Sequence, residues 1–417
     1  MNPSLPPTFL QRLSGQAEQI CLWLIVLACA AIPTSLALAN IALAGVAVFW
    51  LLSAGRIQRW QVLSQQPVAW LCAALFVWIL LGAVYSTAAP AEIKMHVQKF
   101  AKLLLAAAIM GVLVDATWRK RCMQAFCFGI GLVLLTQVGE VFIDLPWAVT
   151  HNQGWNALHV AVGDYITQGI MVSLMLGISL WKALDSSNPK NARWAWGMVA
   201  ALCLPSLTFW SDGRTGYILL VLVCLSILAL RFKGRALLLS VGFVFTVGLL
   251  VVSNSDRMLD RIKLGQQEIK RALSNERKYT SFGGRLENYR QSAQLIGERP
   301  IWGWGTGSFH KEACRVAITP EFCKAASWHP HNQYLLFGVQ GGLIAVALFI
   351  GVLLMAARQL WRAPPEQRAV GLAFLVIFAV NSLFNSSLFS ARENHFFTVM
   401  LAVMLAGLAS ASDKRIS

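Results

Sequence analysis

Two histidines one residue apart close the polar stretch of this chain, in Trp328-His329-Pro330-His331-Asn332-Gln333-Tyr334. The sequence then turns apolar, so His331 stands at the start of a helix. Imidazole titrates near neutrality, and a rigidly held His331 can take the proton of an attacking hydroxyl at physiological pH. His329 competes for the role, and a histidine that merely ties down a neighbouring loop is the bland alternative. Asn332 and Tyr334 are accessory candidates beside it.

The cations near this pair suggest what else is handled. Arg214 lies in the polar hexapeptide Ser211-Asp212-Gly213-Arg214-Thr215-Gly216 between two apolar runs. Ionisable groups at that depth are expensive and usually functional, and a guanidinium clamps phosphate oxygens bidentately. Pairing with Asp212, to close a turn, is the competing account. Arg285 and Arg290 follow Gly283-Gly284 on an expected helix, where Arg285 would meet a ligand at the helix start. Either can equally be a solvated surface charge. Lys99 and Lys102 add positive charge near the same face, as headgroup contacts or as part of a basic basin for a phosphate-bearing lipid. Glu287 and Asp212 are weaker accessory candidates. No carboxylate pair, nucleophile elbow, CxxC or HExxH is present, so no metal or other cofactor is expected. A base flanked by cationic clamps suits displacement of a diphosphate from carbon by a hydroxyl, the arginines stabilising the leaving charge.

The elements that hold these residues are membrane-spanning. Hydrophobic residues make up 57% of the 417 and charged residues 13%, where a soluble protein carries roughly a quarter charged. The expectation is an all-α polytopic membrane protein with about twelve spans. They fall near 19–33, 36–54, 67–87, 99–116, 120–141, 161–184, 194–211, 214–231, 235–253, 333–357, 366–385 and 394–411. Eleven is the competing count, because the first two spans form a pair broken around Pro33. The N-terminus shows no convincing signal-cleavage site.

Three regions follow: spans over 1–253, a polar loop over 254–332, and spans over 333–417. Lys and Arg gather in alternate loops, including Arg56/Arg59, Arg119/Lys120/Arg121, Arg231/Lys233/Arg235 and Arg358/Arg362/Arg368. This places both termini in the cytoplasm and the long loop outside. Part of the net charge of +16 is therefore topological, but the loop itself holds thirteen Lys/Arg against eight Asp/Glu. A basic face outside the cell membrane argues against nucleic acid and for anionic lipid. Within the loop, amphipathic spacing predicts a helix over 256–275, the glycine pair a break, and Arg285 to about Ile296 a second helix. Trp302-Gly303-Trp304-Gly305-Thr306-Gly307 is a tight turn region, better suited to packing tryptophans than to cradling phosphate. Cys314 and Cys323, the pair in the external loop, are a disulfide candidate.

These residues together resemble the O-antigen ligase family with its Wzy_C-type domain. The resemblance rests on Gly-Arg-Leu-Glu-Asn-Tyr (284–289), Pro-Ile-Trp-Gly-Trp-Gly-Thr-Gly-Ser-Phe (300–309) and His-Pro-His-Asn-Gln-Tyr-Leu (329–335). His331-Asn332, nine further residues and Gly342 look like the family's His-(Asn/Ser/Gln)-x9-Gly signature. Ala345 stands where that pattern often has Thr. The motifs cover 211–345; the N-terminal half adds only its hydropathy.

The resemblance implies a GT-C-like fold with a long, partly helical periplasmic loop in the bacterial inner membrane. It implies His331 as catalytic base and Arg214 and Arg285 as the arginines that engage undecaprenyl diphosphate. The implied reaction joins undecaprenyl-diphosphate-linked polysaccharide to lipid A–core, without metal or nucleotide and with inversion. An O-antigen polymerase is the nearest alternative. A protein-glycosylating relative would be expected to carry a longer C-terminal region, and a transporter would be expected to show internal repeats.

Overall fold

The computed structural model describes residues 9–53, 55–253, 281–325 and 328–408, with short pieces at 259–260, 263–267 and 270. It is 78% helix, without strands among the described residues. A helix meets every expected span. They are α1 (Phe9–Thr34), α2 (Leu36–Leu52), α4 (Pro67–Val84), α6 (Lys102–Val112), α7 (Ala116–Phe142), α8 (Tyr165–Leu184), α9 (Lys190–Leu207), α10 (Arg214–Arg231), α11 (Gly234–Ser253), α15 (Gln333–Trp361), α16 (Pro365–Phe384) and α17 (Ala391–Leu405). Between them lie α3 (Arg56–Ser64), α5 (Pro90–Phe100), α12 (Ser281–Glu298), α13 (Phe309–Arg315) and α14 (Pro320–Ala325).

Among the described residues, eight helices are long and apolar enough to cross a membrane, or nine if α2 and α3 form one bent span. The gap from about twelve lies in α2, α9, α11 and α17. Helix α9 opens on Lys190-Asn191-Ala192-Arg193, and α17 has 15 residues with Arg392, Glu393, Asn394 and His395 in its first turns. Helix α17 is nonetheless buried along its length, so neighbouring helices rather than lipid satisfy it. The span expected at 99–116 begins earlier, because α5 and α6 run on as one apolar stretch from Pro90 to Val112.

Expected boundaries hold where local signals are strong. Ser35 separates α1 from α2, capping α2 by accepting the Leu38 amide at 3.3 Å. The expected break at Gly283-Gly284 does not occur: α12 runs through both. Each glycine costs a helix roughly 1 kcal/mol, but Gly284 is buried and α12 packs on α15, so tertiary contact outweighs propensity. Arg285 therefore lies inside a helix rather than at its start. The helix expected over 256–275 lies largely outside the described residues.

An aromatic seam joins the elements that carry the site. Phe100 of α5 meets Phe337 of α15, which meets Phe349, then Phe378 of α16. Phe378 stacks on Phe397 of α17 at 4.3 Å. Helices α5, α15, α16 and α17 thus share one packed core.

Candidate active site

Helix α15 is interrupted at Gly342, with φ 65° and ψ −166°, conformations open to glycine and little else. In an unbroken helix the carbonyls of 339–341 would accept the amides four residues on. Here Trp304 N donates to Val339 O (2.8 Å), Gly305 N to Gln340 O (2.9 Å) and Trp78 Nε1 to Gly341 O (2.8 Å). The Leu343 amide, freed in turn, donates to Pro300 O at 2.7 Å. The Trp-Gly-Trp-Gly segment is therefore a backbone plug seated in the broken helix. A Cβ on Gly303 would lie 2.6 Å from Val339 O, and one on Gly342 only 2.0 Å from Ile301 O. Trp302 stacks on Trp78 at 5.1 Å, and Trp304 lies between Arg299 and Arg315. These glycines serve packing.

The plug and the interrupted helix fix the residues just before α15. Asn332 caps the helix, accepting Leu335 N at 3.0 Å while donating to Leu383 O at 3.0 Å. Tyr289 Oη donates to the same Leu383 carbonyl at 2.7 Å and lies 3.4 Å from His331 O. Gln333 Oε1 accepts Leu388 N at 2.9 Å. Held at both sides, His331 takes φ 55°, the one left-handed non-glycine backbone among the described residues. Such a conformation costs about 1–3 kcal/mol and persists when its surroundings over-determine it.

The His331 and His329 rings lie 4.6 Å apart, and the His331 amide donates to His329 Nδ1 at 3.3 Å. Phe389, in the turn between α16 and α17, is the hub behind them. His329 packs on it at 5.0 Å, His96 at 4.7 Å, and the Lys99 ammonium at 3.6 Å. Lys99 also donates to Phe389 O at 2.9 Å. His96 is fully buried; its Nδ1 lies 2.9 Å from Gln340 Nε2, while its Nε2 has no partner among the described residues. Burial pushes His331 down to about 4, with the Arg285 guanidinium adding to the effect and hydrogen bonding to Asn385 opposing it. Burial pushes His329 down to about 3, helped by His331, Lys99, His96 and Arg285. The site thus offers a neutral imidazole in a positive field, which suits a proton acceptor beside a bound anion.

The remaining sequence candidates divide. Lys102 Nζ lies 3.3 Å from His395 Nδ1, one turn along from Lys99. Arg214 opens α10 and packs beside Gly265, where a Cβ would lie 3.6 Å from its guanidinium carbon. In the turn before it, the Gly213 amide donates to Ser211 Oγ and Tyr217 Oη to Ser211 O, both at 3.1 Å, with Asp212 between. Arg290 is committed to its own loop, donating to Glu287 at 2.9 and 2.6 Å, to Gln294 at 3.1 Å and to Val316 O at 2.8 Å. Glu287, buried, is held by Arg290 and by Gln291 at 3.1 Å. Tyr334 donates to Ala379 O at 3.2 Å. Cys314 and Cys323 are joined by a disulfide linking α13 to α14.

Several residues at this centre escape a reading of the sequence. His96 sits in a segment that reads as an outer loop. Asn385 and Phe389 lie in a short turn with no motif. Glu393 and His395 carry a usable signal, ionisable groups entering an apolar run, but their role depends on which residues α17 faces.

Comparison with known proteins narrows the reading. Residues 198–350 match the O-antigen ligase family, Wzy_C. The match covers 153 of the 417 residues. The match includes Arg214, Arg285, Arg290, His329, His331 and Gly342, and leaves Lys99, Lys102 and the 385–395 cluster outside it. An uncharacterized protein of Haemophilus influenzae is 27% identical over 166 residues, which are 38% of this chain. The chain spans 41% of that relative's length. The apolar helices support a membrane protein, and residues 198–350 are similar to the O-antigen ligase family.

Proposed function

We propose that the protein is an O-antigen ligase of the bacterial inner membrane, transferring polysaccharide from undecaprenyl diphosphate to lipid A–core at the periplasmic face. The observation that carries this reading is His331 itself. It is a half-buried imidazole that burial holds toward its neutral form, in a left-handed conformation and in the field of the Arg285 guanidinium, within the residues matched to Wzy_C. In the proposed step an acceptor hydroxyl attacks the anomeric carbon, and the carbon–oxygen bond to the diphosphate breaks. His331 takes the hydroxyl proton, and undecaprenyl diphosphate leaves with its negative charge met by Arg285, Lys99 and Arg214. A single displacement inverts the anomeric centre. The cations supply the stabilisation that a metal would otherwise give, so the proposed reaction proceeds in EDTA.

The test is transfer by purified wild-type and His331→Ala protein, in EDTA, from lipid-linked polysaccharide to either lipid A–core or lipid-linked repeats. Wild-type transfer to lipid A–core, with His331→Ala reduced roughly 10²- to 10⁴-fold as for loss of a general base, is the expected result. Growth only on lipid-linked repeats would make the protein a polymerase. Transfer to neither by folded wild-type protein would sink the enzyme reading in favour of a carrier.

A further inference from the structure

His329 and His331 are joined by more than their nearness in the chain. The His331 amide donates to His329 Nδ1 at 3.3 Å, closing a turn around Pro330. Pro330 itself has no N–H and a φ fixed at about −65°, so the chain enters His331 from a rigid residue. On the other side, the His331 carbonyl lies 3.4 Å from Tyr289 Oη, and Asn332 starts α15 by accepting Leu335 N at 3.0 Å. Between these anchors His331 takes φ 55°. A left-handed backbone on a residue with a Cβ persists only where its surroundings over-determine it. The torsion φ turns about the bond from the amide nitrogen to Cα, so His329 grips the strained torsion at its own atom.

The grip is itself fixed. The His329 ring packs on Phe389 at 5.0 Å, and Lys99 holds Phe389, its ammonium 3.6 Å over the ring and 2.9 Å from the carbonyl. Leu388, the residue before, is bound at both ends. Its amide donates to Gln333 Oε1 at 2.9 Å, and its carbonyl accepts Asn394 Nδ2 at 2.6 Å. The His331 ring stands edge-on to the His329 ring, 4.6 Å away. With the Nδ1 lone pair given to the His331 amide, the ring proton of neutral His329 sits on Nε2. Protonation at Nδ1 would set one N–H against another. Burial, then the charges of His331, of Lys99 and His96 on α5 and of Arg285 on α12, push His329 down to about 3, which keeps the accepting form in place at neutral pH.

We propose that His329 is a positioning residue rather than a second base: its Nδ1 holds the His331 amide, and with it the left-handed backbone that aims the His331 imidazole at the acceptor hydroxyl. This rests on His331 as the base of the proposed transfer. Position matters there because a displacement of about 1 Å at a reacting group can cost on the order of 100-fold in rate.

The experiment uses the purified full chain as wild type, His329→Asn, His329→Leu and His329→Gln. Asparagine places Oδ1 where Nδ1 stands and readily accepts the amide two residues on. Leucine has the branched shape of asparagine without the acceptor, and glutamine carries its amide one bond too far. Three quantities are read: kcat and donor KM for transfer, the rate of His331 carbethoxylation by diethylpyrocarbonate at neutral pH (by mass spectrometry), and thermal melting. His329→Asn should keep kcat within a few-fold of wild type, although its side chain cannot take a proton. His329→Leu and His329→Gln should lower kcat roughly 10- to 100-fold. Donor KM should change little in all three, because the cations proposed to meet the diphosphate are untouched. Released from its anchor, His331 should be carbethoxylated several-fold faster in His329→Leu and His329→Gln than in His329→Asn.

If His329→Asn is as slow as His329→Leu, activity depends on the imidazole itself and the proposal is overturned. Wild-type kcat in His329→Leu would overturn it too. So would kcat falling in step with melting across all three variants, the pattern of a purely structural residue. If wild type transfers to neither acceptor, the transferase reading fails by itself. The carbethoxylation rates then still decide whether His329 holds His331: a faster rate in His329→Leu than in His329→Asn upholds the link, and equal rates overturn it.

Discussion

Replacing Gly342 by alanine tests whether the interrupted helix builds the site. The substituted residue must adopt φ 65° with ψ −166°, and its Cβ would lie 2.0 Å from Ile301 O and 2.3 Å from Ile301 C. Both obstacles are backbone, so no side chain can swing away. The chain must either strain at 342 or expel the plug. Strain of this kind costs about 1–3 kcal/mol, and each backbone hydrogen bond lost on expulsion costs about 0.5–1.5 kcal/mol. Trp304 to Val339, Gly305 to Gln340 and Leu343 to Pro300 are the three bonds at risk. The destabilisation is therefore about 1–3 kcal/mol if the chain strains and about 1.5–4.5 kcal/mol if the plug is expelled. Gly351→Ala, in the same helix, is the internal control, because a Cβ there meets only Leu71 side-chain carbons at 3.7 Å. It should be neutral or stabilise by a few tenths to about 1 kcal/mol. Thermal melting in detergent reads stability, and Trp78, Trp302 and Trp304 give a fluorescence signal for the plug. If Gly342→Ala melts within a degree or two of the control, with unchanged tryptophan emission, the account of the break is wrong.

Four other expectations concern charge and covalent links. His331 and His329 are held below their ordinary value of 6.5, at about 4 and about 3, so an unfolded chain takes up protons before the folded one does. Their contribution to stability is present above about pH 6.5 and is lost as pH falls toward those values. Melting temperature should therefore drop between pH 7 and 5, and His329→Asn should flatten the drop; a slope unaltered by that variant would contradict it. In kinetics, the acid limb of kcat should lie at higher pH than that of kcat/KM, because bound diphosphate stabilises the imidazolium; coincident limbs would place the diphosphate away from His331. Arg290→Ala strands the buried Glu287 and should cost about 1–3 kcal/mol with donor KM nearly constant. A large rise in donor KM with normal melting would assign Arg290 to substrate instead. Cys314→Ser/Cys323→Ser should lower stability by about 2–3 kcal/mol for so short a loop and speed proteolysis at 309–325. Reductant should do the same to wild type and nothing to the variant.

Membrane character, the positions of most helices and the candidacy of His331 are legible in the order of residues alone. Each of these depends on local pattern: apolar runs longer than a bilayer is thick, Pro and Ser at helix ends, and a signature of closely spaced residues. Local pattern misjudged Gly283-Gly284, where packing on α15 outweighs the glycine penalty, and α17, whose polar first turns are satisfied by neighbouring helices. What surrounds His331 emerges only when the chain is packed. Lys99, His96 and Phe389 are separated from it by 58 to 235 positions in the chain, and no spacing rule links them. Packing also divided the arginines, leaving Arg285 beside the histidines and committing Arg290 to Glu287. The reason is physical: a helix repeats its faces at a fixed period that sequence displays, whereas which faces meet depends on how all the helices fill space together.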